Sequence, residues 1–133
     1  MAKYTNADQL RDELDDILET YFGEVMLAAD SGCEEVAKYA KGRLKDVSPR
    51  SEALDAVHYA DGWAVEKEKD RLGMVFRIWN HYKPGLVHLL EHGHLKRNGK
   101  DRTKAIPHVS IVQEECEKII GEKIEMKVRK IAE

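Results

Sequence analysis

No stretch of this 133-residue chain approaches the ~20 consecutive apolar residues that cross a bilayer, so no membrane-spanning helix is expected. The opening MAKYTNADQLRDELDD is polar and acidic and lacks the apolar stretch of a secretory signal, so synthesis in the cytoplasm is expected. Cysteine is scarce. Cys33 and Cys116 stand far apart with no metal or redox spacing, and both read as small buried apolar residues in a reducing compartment, without a disulfide. There is no large charge excess either. The formal net charge of −3 gives no bulk argument for a nucleic-acid or anionic-membrane partner.

Several catalytic signatures are also missing. The chain has no G-x-S-x-G nucleophile elbow around Ser31, Ser48, Ser51 or Ser110. It has no G-x-x-x-x-G-K-[ST] phosphate loop and no G-x-G-x-x-G dinucleotide fingerprint. The adjacent carboxylates Asp15-Asp16 and Glu114-Glu115 fall within helical patterns and read as solvated faces. No internal repeat or low-complexity tract appears. A composition of 42% hydrophobic and 35% charged residues excludes disorder and fits one globular domain across 1–133 with a heavily charged surface.

What is present is periodicity. Leu10, Leu14, Ile17, Tyr21, Val25, Ala29, Cys33, Val36, Ala40, Leu44 and Val47 recur every three or four residues, which predicts one long helix. Thr5 or Asn6 suits its cap, Asp8 its first turn, and Lys41, Arg43 and Lys45 its last turn before Ser48-Pro49. Unbroken, it would run about 60 Å, long enough for one end to project beyond the core. Asp30-Ser31-Gly32 is its expected weak point, where a kink or split is anticipated. The stretch from Ser48 to Asp61 reads as a connection.

Trp63 and Val65, then Leu72, Met74, Phe76 and Ile78, alternate with polar or outward residues, Val75 and Trp79 among them. That pattern predicts a hairpin turning between Asp70 and Gly73. Trp63 and Trp79 read as packing residues, not a ligand cage. Pro84 suits the first position of a short helix whose buried face is Leu86, Val87, Leu89 and Leu90, with Gly93 as its cap. His94 to Ala105 reads as a basic, flexible loop turning at Asn98-Gly99. Ile106-Pro107 opens a last helix with Val109, Val112, Cys116, Ile120, Ile124, Val128 and Ile131 on one face. The fold class is therefore α+β: a long N-terminal helix, a small antiparallel sheet, a short helix, and a C-terminal helix packed on one face. A sheet of two or three strands with helices on one face would bury every apolar stripe.

Two features invite functional readings. His88, Glu91 and His92 match H-x-x-E-H, in which histidines at i and i+4 can bind zinc and the glutamate can act as base. The pattern fixes only three residues, and no other motif supplies a third ligand. A small zinc-dependent hydrolase is the alternative it supports. The loop residues Lys96, Arg97, Lys100, Arg102 and Lys104 stand against Asp101 alone, which suits a solvated loop between two helices, an interaction loop or a phosphate-contacting module. Without interleaved aromatics, base stacking is not expected there.

The segments YADGWAVEK, VFRIWNHYKPGLVHLLEHGHLKRNG and AIPHVSIVQEE resemble the tail-component family of long-tailed bacteriophages, the head–tail joining or tail-completion proteins. The resemblance rests on Tyr59, Ala60, Gly62 and Trp63, on Asn80 and Tyr82, and on Leu89, Leu90, Glu91, His92 and Gly93. It continues through Lys96, Arg97 and Gly99 to Pro107 and His108. It covers about half the chain closely. Many relatives carry a Thr-Gly turn where this chain has Ser51-Glu52. The resemblance implies a non-enzymatic virion component without a cofactor. Its partners would be copies of itself in a ring, the head connector and tail proteins, with DNA passing through the ring and no membrane contact. It also implies that Leu89 to Gly93 is a packing and turn signature.

Overall fold

The N-terminal periodicity resolves into a single helix, α1 (Ala7–Val47), in a computed structural model that describes residues 6–50, 58–71 and 73–132. Asn6 caps it, its side-chain oxygen accepting from the Gln9 N–H at 2.9 Å. Thr5, Ser51-Glu52 and Leu72, which also carried expectations, lie outside the described residues. The helix does not split at Asp30-Ser31-Gly32 and runs as one element through them. Gly32 is buried there because another helix crosses it: a Cβ at this position would lie 3.1 Å from Ile124 Cγ1. The glycine serves a close helix–helix approach, and the surrounding packing offsets its low helix propensity.

After a 3-10 turn at Tyr59–Gly62, strands β1 (Trp63–Asp70) and β2 (Gly73–Asn80) pair antiparallel, with Trp63 opposite Asn80 and Asp70 opposite Gly73. The Asp70 carboxylate accepts from the Gly73 N–H at 3.0 Å and closes the turn. Met74, Phe76 and Ile78 are half-buried, while Val75 and Trp79 are exposed, as the alternation predicted. Trp79 thus departs from its expected packing role and stands on the outer side. Helix α2 (Leu86–His92) begins two residues later than Pro84, which sits in the preceding turn beside Gly85. Helix α3 (Val109–Ile131) begins after Ile106-Pro107 and His108.

Helix α3 runs antiparallel along α1, Ile124 opposite Gly32 and Glu115 opposite Arg43. Arg43 grips Glu115 through Nε at 2.9 Å and Nη2 at 3.0 Å, and the Tyr39 hydroxyl donates to the same carboxylate at 3.0 Å. Glu35 meets Lys127 at 2.8 Å, and Glu34 ties α1 to Lys67 of β1 at 2.6 Å. The core gathers Ala40, Leu44, Tyr59, Trp63 and Val112, with Ile78, Leu86, Val87, Leu90 and Val109 packed against it. Both cysteines are free and only half-buried, in place of the full burial expected.

One expectation fails outright: not every apolar stripe is covered. The core lies at the C-terminal half of α1. Leu10, Leu14, Ile17, Leu18, Tyr21 and Phe22 are 41–65% exposed on the other half, which extends beyond the end of α3. No helix among the described residues is long and apolar enough to cross a membrane.

The Gly32 contact generates a stability test. Gly32→Val should lower stability by about 1–3 kcal/mol through overpacking against Ile124. Gly121→Ala, in α3 with open space around it, should raise stability by up to ~1 kcal/mol. Denaturant midpoints of the two variants check both signs.

Candidate functional site

Helix α3 begins without a cap of its own. His108 occupies the N-cap position and makes no capping hydrogen bond, so the first N–H groups of the helix need an acceptor from elsewhere. Glu91, at the end of α2, supplies it. Its carboxylate accepts from the backbone N–H groups of His108 at 2.8 Å, Val109 at 2.9 Å and Ser110 at 3.0 Å. Burial alone would disfavour the charge on Glu91. The backbone donors of His108, Val109 and Ser110 and the Ser110 hydroxyl outweigh it, holding the carboxyl down at about 2 from the usual 4.5. The positive end of the helix dipole acts in the same direction.

His108 is fully buried. In the neutral ring its Nδ1–H donates to the Ile106 carbonyl at 2.7 Å, with a Glu91 oxygen 3.1 Å away, and Nε2 accepts from the Tyr59 hydroxyl at 2.8 Å. Burial, seconded by the charge on Glu91, pushes the Tyr59 phenol up to about 12. The rings of Tyr59, Trp63 and His108 meet edge to face, with centroids 5.6–6.4 Å apart. Trp63 Nε1–H donates to the buried Ser48 hydroxyl at 2.8 Å, and that hydroxyl donates to the Leu44 carbonyl. Asn80 donates to the Tyr59 carbonyl at 2.7 Å and accepts from the Lys83 N–H at 3.0 Å, fastening the end of β2 to the 3-10 turn. The Gly62 carbonyl accepts from the His81 N–H at 2.9 Å beside it.

Much of the family-like signature therefore converges on one buried network. Tyr59, Gly62, Trp63, Asn80, Glu91 and His108 belong to it directly. Leu90 packs on the core and its carbonyl accepts from the Ile106 N–H at 2.7 Å. Gly93 ends α2 at φ +73°, and a Cβ there would lie 2.6 Å from the Thr103 carbonyl oxygen, so glycine is required on both counts. Leu89 is half-buried, whereas Tyr82, His92 and Pro107 are exposed and stand outside the network. Sequence reasoning missed the roles of Ser48 and His108. The absence of any Ser, Thr, Asp or Asn just before Val109 was the available signal that α3 draws its cap from afar.

The zinc-like motif comes apart in this geometry. The exposed rings of His88 and His92 lie 4.8 Å apart, but Glu91 turns away from them to α3. No group of three or more metal-ligating side chains occurs among the described residues. A cleft of about 450 Å³ lies between Trp63, Trp79, Val87, Val109, Val112 and Cys116. Its walls are largely apolar, and burial raises the Cys116 thiol, so the thiolate is not favoured there.

The basic loop is a hydrogen-bonded hairpin that turns at Asn98-Gly99. Leu95 bridges Arg102, the Lys96 N–H donates to the Asp101 carbonyl at 2.7 Å, and the Asn98 side chain accepts from the Lys100 and Asp101 N–H groups. Lys96, Arg97, Lys100, Arg102 and Lys104 are all exposed on it, apart from the buried network.

No family model, curated protein or solved structure matches this chain.

A depressed carboxyl contributes stability above its unfolded pKa and loses it as pH falls through its folded pKa. For Glu91 that contribution is complete above about pH 4.5 and fades toward pH 2. The shift corresponds to on the order of 3 kcal/mol. Glu91→Gln should cost about 2–3 kcal/mol at neutral pH, with the gap to wild type closing between pH 4.5 and 2 in acid-unfolding curves. Tyr59→Phe, which orphans the buried His108 Nε2, should cost about 1–3 kcal/mol by the same measurement.

Proposed function

We propose that this chain is a non-enzymatic structural protein of a phage or prophage virion, joining head to tail or completing the tail. It would be made in the host cytoplasm and act by assembling on copies of itself and on connector and tail proteins. The observation that carries the reading is how the signature residues use their polar groups. Glu91, His108, Tyr59, Trp63 and Asn80 satisfy one another and the backbone inside the core, which leaves none of them free for a substrate. The surfaces left over are a projecting helix half and a basic hairpin, both suited to docking.

In the phage or prophage that encodes the chain, deletion should leave filled heads and separate tails in electron micrographs. A copy carrying His88→Ala with His92→Ala should restore joined particles, because neither ring supports the core network. Failure of that folded double variant to restore particles, with zinc near one per chain in the wild type, would favour the hydrolase reading. Lumenal DNA contact by the hairpin is the second role compatible with its charge. Loss of DNA affinity with a reduced salt slope in Lys96→Ala with Arg97→Ala would support it.

A further inference from the structure

The chain is chemically polar along its length. At one pole, residues 7–24 of α1 carry seven carboxylates against Arg11, a formal −6. Leu10, Leu14, Ile17, Leu18, Tyr21 and Phe22 lie at helical spacing on one stripe of this stretch, and all are at least 41% exposed. At the other pole, just ahead of the N-terminus of α3, residues 94–104 carry five cations against Asp101, a formal +4. The apolar cleft beside Trp79 and Val87 lies in that same half, against Ala40 and Leu44 of α1.

These two ends cannot meet within one molecule. Helix α1 is unbroken and antiparallel to α3, so it carries its acidic half away from the hairpin. Two acidic arms cannot pair comfortably either, since each would set a formal −6 against its like. We infer that the N-terminal half of α1 docks on a second copy of this chain, at the pole bearing the basic hairpin and the apolar cleft. Apolar side chains of the arm enter the cleft, and its carboxylates face Lys96, Arg97 and Lys100 of the neighbour. The contact is heterologous: each copy offers a different surface on either side, and such contacts close into rings when the rotation per subunit allows. The inference deepens the assembly reading above and rests on it for closure of the ring, while the contact itself rests on the two poles.

Light scattering and sedimentation of the whole protein test it, using two variants that leave the core untouched. The arm variant carries Ile17→Ser with Phe22→Ser; the hairpin variant carries Lys96→Glu with Arg97→Glu. Wild type should associate with rising concentration, at least about tenfold more weakly in roughly 0.5 M than in roughly 0.05 M salt. Each variant alone should be monomeric. Mixed, they should form a one-to-one heterodimer and nothing larger, because only one intact contact remains between them. Three results would overturn the inference. One is a wild type that stays monomeric up to about millimolar concentration at low salt. Another is a hairpin variant that associates like wild type, the mark of arm–arm pairing. The third is a mixture that fails to form the heterodimer. A monomeric wild type would leave the virion reading to the particle experiment, so the two can fail separately.

Discussion

One carboxylate holds three backbone N–H groups, and much of the architecture hangs on that grip. Glu91 closes the N-terminus of α3 from the end of α2, so the short helix and the last helix are fixed to each other. The same contact places His108, whose ring supports the Tyr59 hydroxyl under the core. From there α3 lies along α1, and Gly32 admits Ile124 at the far end. The charge is stable in a buried place because unsatisfied helix N–H groups and the helix dipole both favour an anion there. A neutral side chain of similar shape would meet the same donors without the charge.

The order of elements was legible in the residues because periodicity reports local geometry directly. The stripe from Leu10 to Val47 and the alternation from Met74 to Ile78 place a helix and a strand with little help from tertiary context. Gly32 misled for a definite reason: its low helix propensity is visible in sequence, whereas the helix that crosses it is not. Pro84 misled more mildly, because a turn proline two residues ahead of a helix looks the same in sequence as one at its first position. The candidate site was legible only as a resemblance. Residues from Tyr59 to His108 were picked out together, but an acceptor 17 residues ahead of the N–H it serves has no local signature. His88-x-x-Glu91-His92 shows the converse, a familiar spacing whose central carboxylate is engaged elsewhere.

The division of chemistry across the molecule matters for how it can act. The polar groups of Tyr59, Trp63, Asn80, Glu91 and His108 are consumed in holding the core. Side chains with simple charge or apolar area are displayed at the two ends. This layout is what the proposed assembly role would use, since recognition between copies would then rely on area and charge complementarity.

The uninterrupted run of α1 has a consequence for how its exposed half keeps its shape. An isolated helix must first form a turn, which is costly to nucleate. Here the turns around Gly32, Val36 and Ala40 are already fixed against α3, so each residue toward Asn6 needs only propagation from an existing end. Order in the arm therefore spreads outward from that fixed segment and declines toward its tip. Anything that binds near the tip lengthens a helix already begun, and it does so without the entropic cost of starting one.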